Sequence, residues 1–365
     1  MKILIAPSAY KGTIAPNRLA EIMAEGVQRA NPAAQIELAP LADGGDGTIE
    51  VLRSCLGGEV VSTTVEGADG EVVSSRWLKI GPTAIVELAC ACGLALLKDK
   101  RRQPLKASTM GLGQVIADCL NFPVSHILIA LGGSASTDGG TGALTALGVK
   151  FLDKDGKLLA PGGGALISLD RVELAHLDGR IGKASIELAV DVEAPLLGTR
   201  GAAHNFAAQK GASVAEIDVL EAGLTKFADI IERTVKRSFR DIPGSGAAGG
   251  TAFGLMAGLG ASITPGFSAV AKLIELNKKL ENTDLLITAE GRLDEQSFQG
   301  KATGELAKLC WKRGVPLWVV AGSVADELRW QNLGIERLFT SATPGEIASE
   351  QDVIEASARI FNNRE

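Results

Sequence analysis

Apolar and polar positions alternate between short continuous apolar runs and longer stretches of helical period. Residues 3–7 (ILIAP) form an apolar run of strand length. Pro16 to Ala30 follows with Leu19, Ile22, Met23, Gly26 and Val27 on one face, and Asn31-Pro32 ends it. A second strand, Ile36 to Leu41, leads into ADGGDGT, and a helix from Asp46 to Cys55 starts inside that stretch. Near the other end, Asp284 to Thr288, Pro316 to Ala321 and Arg337 to Thr340 read as strands. Helices are predicted over Thr303 to Arg313, Val324 to Asn332 and Ile347 to Phe361. Both ends together give five strands alternating with helices, the pattern of a doubly wound parallel α/β sheet of flavodoxin-like type.

The middle of the chain reads differently. Val60 to Val65, Val72 to Leu78 and Ala84 to Leu88 are short, partly alternating runs joined by Ala68-Asp-Gly70 and Gly81-Pro82. That is an antiparallel meander rather than a crossover unit. A helix (Thr109 to Leu120), strands (His126 to Leu131 and Ile186 to Val190) and a long helix (Val214 to about Phe239) follow. The expected organisation is a flavodoxin-like domain of residues 1–60 plus 281–365, with a mixed α/β domain of residues 61–280 inserted in it. A cleft between the two is the expected place for a site.

Composition narrows the function classes. The 365 residues are 46% hydrophobic and 22% charged, and the formal charge is −6. An acidic chain without a basic cluster is not a nucleic-acid binder. No apolar run reaches membrane-spanning length, and residues 2–7 are too short for a secretory signal, so a cytoplasmic protein is expected. The five cysteines, at 55, 90, 92, 119 and 310, sit mostly among apolar residues and read as reduced thiols. Cys90-Ala-Cys92 lacks the spacing of a metal or redox pair. The 44 glycines cluster in short loops between apolar runs, as they do where backbone must approach a ligand closely.

Four loops combine glycine with carboxylate or hydroxyl groups next to a predicted strand or helix. They are Ser8 to Thr13 with Lys11, ADGGDGT with Asp43 and Asp46, Gly132 to Gly140 (GGSASTDGG), and Ala289 to Lys301 (AEGRLDEQSFQGK). Such loops offer N–H groups and helix starts to anions. The last holds Glu290, Arg292, Asp294, Glu295 and Lys301 directly after a buried strand, where open α/β sheets bind ligands. Asp191 ends another strand. GSGAAGG contains a literal GxGxxG at Gly244, Gly246 and Gly249, but Pro243 and a long helix precede it where a dinucleotide site needs a strand. There is no GxxxxGK[ST], HExxH or GxSxG, and the three histidines are scattered. Glycine loops, lysine, arginine and carboxylates without histidine suit phosphoryl transfer.

Eight ordered stretches, IAPSAYKGT, LADGGDGT, GGSASTDGG, VDVEAP, AAQKGA, GSGAAGG, ITAEGRLDEQSFQGK and VAGS, resemble the bacterial class I glycerate kinases over nearly the whole chain. The resemblance implies an ATP- and Mg²⁺-dependent kinase for D-glycerate with two α/β domains and 2-phosphoglycerate as the usual product. The chain departs from the family pattern at Ser8-Ala9 (usually Asp-Ser), Thr137 (Asn), Ala194 (Asn), Ala289 (Gly) and Gln299 (His).

The resemblance supports the motif residues as a set, and their chemistry and placement give the individual roles: Ser8, Lys11, Asp43 and Arg292 are the expected substrate contacts. Lys11 and Arg292 hold the carboxylate or stabilise charge on the transferring group. Asp43, Asp46 and Glu290 are the expected Mg²⁺ ligands. Asp191 is expected to orient or deprotonate the acceptor hydroxyl, with Asp294 as the alternative. Gly132, Gly133, Ser134, Asp138, Gly249, Gly250 and Lys301 are expected around the nucleotide. Partners are small molecules, and a homodimer stays open. Three other readings remain: a kinase for a related hydroxy acid, favoured by Ser8-Ala9; a catalytically inactive glycerate- or nucleotide-binding homologue; and a nucleotide-dependent oxidoreductase using GSGAAG.

Overall fold

The structure is a computed structural model, and it describes residues 1–10, 12–97, 102–298, 300–342 and 347–362. The strands in chain order are β1 (Lys2–Ile5), β2 (Gln35–Leu38), β3 (Glu59–Glu66), β4 (Val72–Ile80), β5 (Thr83–Glu87), β6 (His126–Ala130), β7 (Lys150–Leu152), β8 (Arg171–Glu173), β9 (Ser185–Val190), β10 (Ser262–Pro265), β11 (Leu285–Leu293), β12 (Leu317–Val324) and β13 (Arg337–Thr340). The chain divides into two compact units, one of residues 1–43, 50–57 and 265–365, the other of residues 44–49 and 58–264. The second division lies before the helices Gly266–Leu273 and Leu276–Leu280, which belong to the first unit rather than to an insertion ending at 280.

The first unit is built on a sheet of order β13-β12-β11-β1-β2 with every pair parallel. β1 and β11 are neighbours although residues 6–284 lie between them in the chain, which makes their junction the switch point of the sheet. The helix Pro16–Ala30 has proline in its first turn, where the missing N–H has no intrahelical partner to lose. Its face of Leu19, Ile22, Met23 and Val27 is buried with Ile3, Ile5 and Ile287, at roughly 1.5–3 kcal/mol per large side chain. Gly26 on that face admits the helix Glu350–Asn362: a Cβ there would stand 2.3 Å from the Ile354 carbonyl oxygen.

Two elements of this unit differ from the sequence expectation. β11 runs on to Leu293 and β12 to Val324, so Glu290 and Arg292 lie on a strand rather than in a loop. Gly291 and Gly322 allow this, because a Cβ on Gly322 would meet the Gly291 carbonyl oxygen at 2.4 Å. The helix expected over Val324 to Asn332 is reduced to a 3₁₀ turn, Trp330–Asn332. That segment has too few apolar positions at helical spacing to fix a helix against the sheet.

The second unit has a mixed sheet of order β10-β9-β6-β5-β4-β3. β3, β4 and β5 form an antiparallel meander, and β5, β6 and β9 are parallel. The parallel strands carry apolar runs (HILIA on β6, TAIVE on β5), as expected of strands covered on both faces. Phe151, Phe227 and Phe253 meet edge to face in the core. The helix Val214–Val235 opens with a capping box between Ser213 and Glu216.

Candidate active site

The carboxyl ends of β5, β6 and β9 lie side by side, with Glu87 level with Ala130 and Ala130 level with Ala189. The residues that follow are Gly132–Ser134 after β6 and Asp191 after β9. Asp191 is exposed there. Gly133 has φ +65°, a left-handed conformation that glycine adopts without strain. Among the described residues the N–H groups of Gly132, Gly133 and Ser134 donate no hydrogen bond within the protein. The Gly133 carbonyl accepts from Leu94 N–H at 2.8 Å, and Ala135 N–H donates to Cys92, which holds the turn from the other side. Three successive N–H groups at a strand end form a cradle for an anion.

This turn meets part of ADGGDGT. A Cβ on Gly132 would stand 2.7 Å from the Gly45 Cα, and one on Gly133 would stand 2.6 Å from Asp46 Oδ1. The two predicted loops are therefore in contact, and glycine is required where they touch. Below them lies Glu87, 4% exposed, a residue the motif reading missed. Its Oε1 accepts Ile49 N–H at 2.6 Å, and the Cys90 thiol donates to Oε2 at 3.3 Å. Burial pushes the Glu87 carboxyl up, the Ile49 and Cys90 hydrogen bonds pull it down, and nearby Asp46 raises it again. Burial likewise pushes the Cys90 thiol up to about 12, with Glu87 adding to the rise. The signal for Glu87 was a carboxylate ending an apolar strand, VELAC, which looks like ordinary amphipathicity without the fold.

Asp138 turns inward rather than toward a ligand. It is fully buried, and Oδ2 accepts Thr109 N–H (2.9 Å), the Thr109 hydroxyl (2.8 Å) and Gly142 N–H (3.1 Å). Oδ1 accepts Gly140 N–H at 3.2 Å. The Ser134 hydroxyl also turns inward, pairing with Ser136 Oγ at 3.1 Å. Gly249 and Gly250, expected to give N–H groups to phosphate, instead pack against this loop. A Cβ on Gly249 would stand 2.2 Å from the Ser136 carbonyl oxygen. The Gly249 carbonyl accepts Gly139 N–H, and Gly250 N–H donates to Gly246. Ala248, Gly249 and Gly250 all have positive φ, so the glycines of GSGAAGG serve a backbone kink. No strand precedes the motif directly, which removes the basis for a dinucleotide site.

Lys210, in the quoted motif AAQKGA, is a second residue given no role from sequence. Its side chain is buried, and Nζ donates to the Ser136 carbonyl. Burial lowers its pKa to about 8, and Asp138 opposes the fall.

In the first unit, Ser8 follows β1. Both its N–H (3.1 Å) and its hydroxyl (3.2 Å) donate to the Ala289 carbonyl, so the Ser8 side chain ties β1 to β11. Arg292 is 71% exposed, and its Nε lies 3.9 Å from Asp294 Oδ2. Asp294 Oδ1 accepts Gln296 and Ser297 N–H, which makes Asp294 the cap of a short turn. Lys301 is exposed at the start of the helix Ala302–Arg313. Asp43 is half-buried and Asp46 exposed. Lys11 and Gln299 lie outside the described residues.

The fit to Mg²⁺ rests on Glu290. Its Oε2 is buried without a hydrogen-bond partner, and burial pushes the carboxyl up. The Thr303 and Ser297 hydroxyls and Lys301 favour its ionised form, and Asp294 opposes it. An orphaned carboxylate oxygen suits a cation. Among the described residues no three His, Cys, Asp or Glu side chains cluster in a metal-binding group. Mg²⁺ commonly takes only one or two carboxylates, together with water and phosphate.

Comparison with known proteins bears on the whole chain. The Glycerate kinase family model matches residues 3–363. A glycerate kinase of Bacillus subtilis (strain 168) is 37% identical over 99% of this chain and 95% of its own. A glycerate 2-kinase of Escherichia coli (strain K12) is 37% identical over 94% of this chain and 91% of its own. The crystal structure of a protein provisionally assigned as glycerate kinase 2 from Salmonella typhimurium LT2 superposes with a TM-score of 0.90 at 33% identity, covering 99% of this chain and 97% of that one. No helix among the described residues is long and apolar enough to cross a membrane.

Proposed function

The chain belongs to the glycerate kinase family, and from that premise we propose that it transfers the γ-phosphoryl group of ATP to the 2-hydroxyl of D-glycerate in the cytoplasm. The observation that carries the reading is the row of N–H groups at Gly132–Ser134 beside Asp191, at the carboxyl ends of neighbouring parallel strands. Phosphate needs donors, and a hydroxyl acceptor needs a carboxylate. The choice of the 2-hydroxyl draws on the glycerate 2-kinase relative.

In this reading Gly132, Gly133 and Ser134 hold the terminal phosphates of ATP through their N–H groups. Asp191 accepts the proton of the glycerate hydroxyl as its oxygen bonds to the γ-phosphorus. The bond from that phosphorus to the β–γ bridging oxygen breaks, and ADP leaves. Asp191 is preferred over Asp294 because it follows β9, the parallel neighbour of the strand that carries Gly132–Ser134. Arg292 and Lys11 neutralise the glycerate carboxylate. Glu290 would hold Mg²⁺ with at most one further carboxylate, Asp43 or Asp46, and the ion would supply charge neutralisation at the phosphates when bound.

The test is ADP formation by the purified protein with ATP and Mg²⁺, with and without D-glycerate. Glycerate-dependent ADP release that falls by about a thousandfold in Asp191→Asn supports the reading, since a positioned base contributes about 10²–10⁴-fold. Nucleotide binding without glycerate-dependent turnover overturns it in favour of the inactive homologue.

A further inference from the structure

The motif AAQKGA has no part in the mechanism above, yet it places a lysine ammonium inside the second unit. Lys210 ends a 3₁₀ turn, Ala208–Lys210, and Gly211 with φ +97° reverses the chain directly after it. The side chain is 4% exposed and its Nζ bonds the Ser136 carbonyl, in the middle of the loop that begins with Gly132–Ser134. Lysine is almost never buried to this degree without a partner, because desolvating an ammonium is costly. Asp138 of the same loop favours its charged form electrostatically.

The loop is thus tied at two points. Asp138 fastens its far end to Thr109, Gly140 and Gly142. Lys210 fastens its middle at Ser136. Ser136 N–H in turn donates to Ser134 Oγ, so the Lys210 contact reaches the last N–H group of the cradle through one residue. Gly249, packed on the Ser136 carbonyl, closes the other side.

We propose that Lys210 is a positioning residue for nucleotide phosphate: its buried ammonium fixes Ser136, and through Ser136 the spacing of the Gly132, Gly133 and Ser134 N–H groups. Its positive charge also lies beneath a loop that receives polyanionic phosphate. This proposal rests on the kinase reading for the identity of the anion, but not for the holding of the loop. Lys210 touches neither nucleotide nor glycerate in this role, so its loss acts on nucleotide affinity and leaves glycerate affinity alone. A lysine kept only to fill space would be replaced without effect by a methionine of similar length.

The experiment compares the full-length wild-type protein with Lys210→Met, which keeps length without a donor, and Lys210→Gln, which keeps a donor without charge. Amide hydrogen exchange of residues 132–140 is measured without ligand, and ATP and D-glycerate affinities by calorimetry. We expect both variants to be folded, with exchange across 132–140 accelerated in Lys210→Met and partly restored in Lys210→Gln. ATP affinity falls by about tenfold or more in Lys210→Met, a loss of one charge-assisted contact, while glycerate affinity changes by less than about twofold. Wild-type exchange protection in a folded Lys210→Met overturns the proposal, as does unchanged ATP affinity. If Lys210→Met does not fold, Lys210→Gln decides by the same two readouts. If the wild type binds no ATP, the kinase reading fails while the exchange comparison still decides whether Lys210 holds the loop.

Discussion

Replacing Asp138 by alanine removes the acceptor of four hydrogen bonds in a fully buried site. Three of the orphaned donors are backbone N–H groups, of Thr109, Gly140 and Gly142, and the fourth is the Thr109 hydroxyl. Each buried donor left without a partner costs about 1–3 kcal/mol, so the sum is about 4 kcal/mol at the least. That is a large part of the roughly 5–15 kcal/mol by which a folded protein is stable. Asp138→Asn should cost less. An amide oxygen in the place of Oδ2 keeps three of the bonds, and the amide nitrogen then opposes Gly140 N–H, a loss of about 1–3 kcal/mol. Urea unfolding followed by far-ultraviolet circular dichroism, with hydrogen exchange at Thr109 and Gly142, measures both. The expected order is wild type, Asp138→Asn, Asp138→Ala. An Asp138→Ala protein within about 1 kcal/mol of wild type would refute the reasoning, since surface-like tolerance is incompatible with four buried orphans.

Other consequences are as direct. Gly26→Ala drives a Cβ to 2.3 Å from the Ile354 carbonyl oxygen, and thermal unfolding should show a loss of about 1–3 kcal/mol. Gly133→Ala meets both a positive φ and Asp46 Oδ1 at 2.6 Å; it should weaken ATP binding by about tenfold or more while leaving D-glycerate affinity near the wild-type value, as calorimetry would show. Lys210 makes stability depend on pH: its folded pKa of about 8 lies below the ordinary 10.5, so below pH 8 the charged form carries the full cost of burial, roughly 3 kcal/mol. Between those values the unfolded chain binds more protons than the folded one, so this group's share of stability rises with pH. Wild type should therefore gain relative to Lys210→Met in urea unfolding between about pH 7 and about pH 9.5; an unchanged difference would contradict the shift.

The sequence made the α/β class and most strands legible, because strands covered on both faces carry continuous apolar runs such as ILIA on β6. The meander β3-β4-β5 was legible from its turns. The extension of β11 through Glu290 and Arg292 was not, since its cause is the close approach of Gly291 and Gly322, two residues distant in sequence. The same holds for the site. Glycine clusters marked the loops at Gly132 and ADGGDGT, but not which glycines face a ligand and which face backbone. Gly249 and Gly250 are of the second kind, and a Cβ clash with Ser136 reveals it. Asp138 and Ser134 sit in a ligand-like motif yet turn inward: Asp138 because the helix starts at Met110 and Thr141 need acceptors, and Ser134 to pair with Ser136. Glu87 and Lys210 escaped notice because only burial distinguishes them from surface charges.

The central claim is that this chain phosphorylates glycerate on its 2-hydroxyl. Phosphorus NMR of a reaction containing the protein, D-glycerate, ATP and Mg²⁺ tests it most directly. The account predicts a new phosphomonoester resonance, growing as ADP appears, with the phosphorus coupled to the single proton on C2. Coupling to the two protons on C3 would contradict the choice of hydroxyl, and ATP left intact beside unchanged glycerate would contradict the reaction itself.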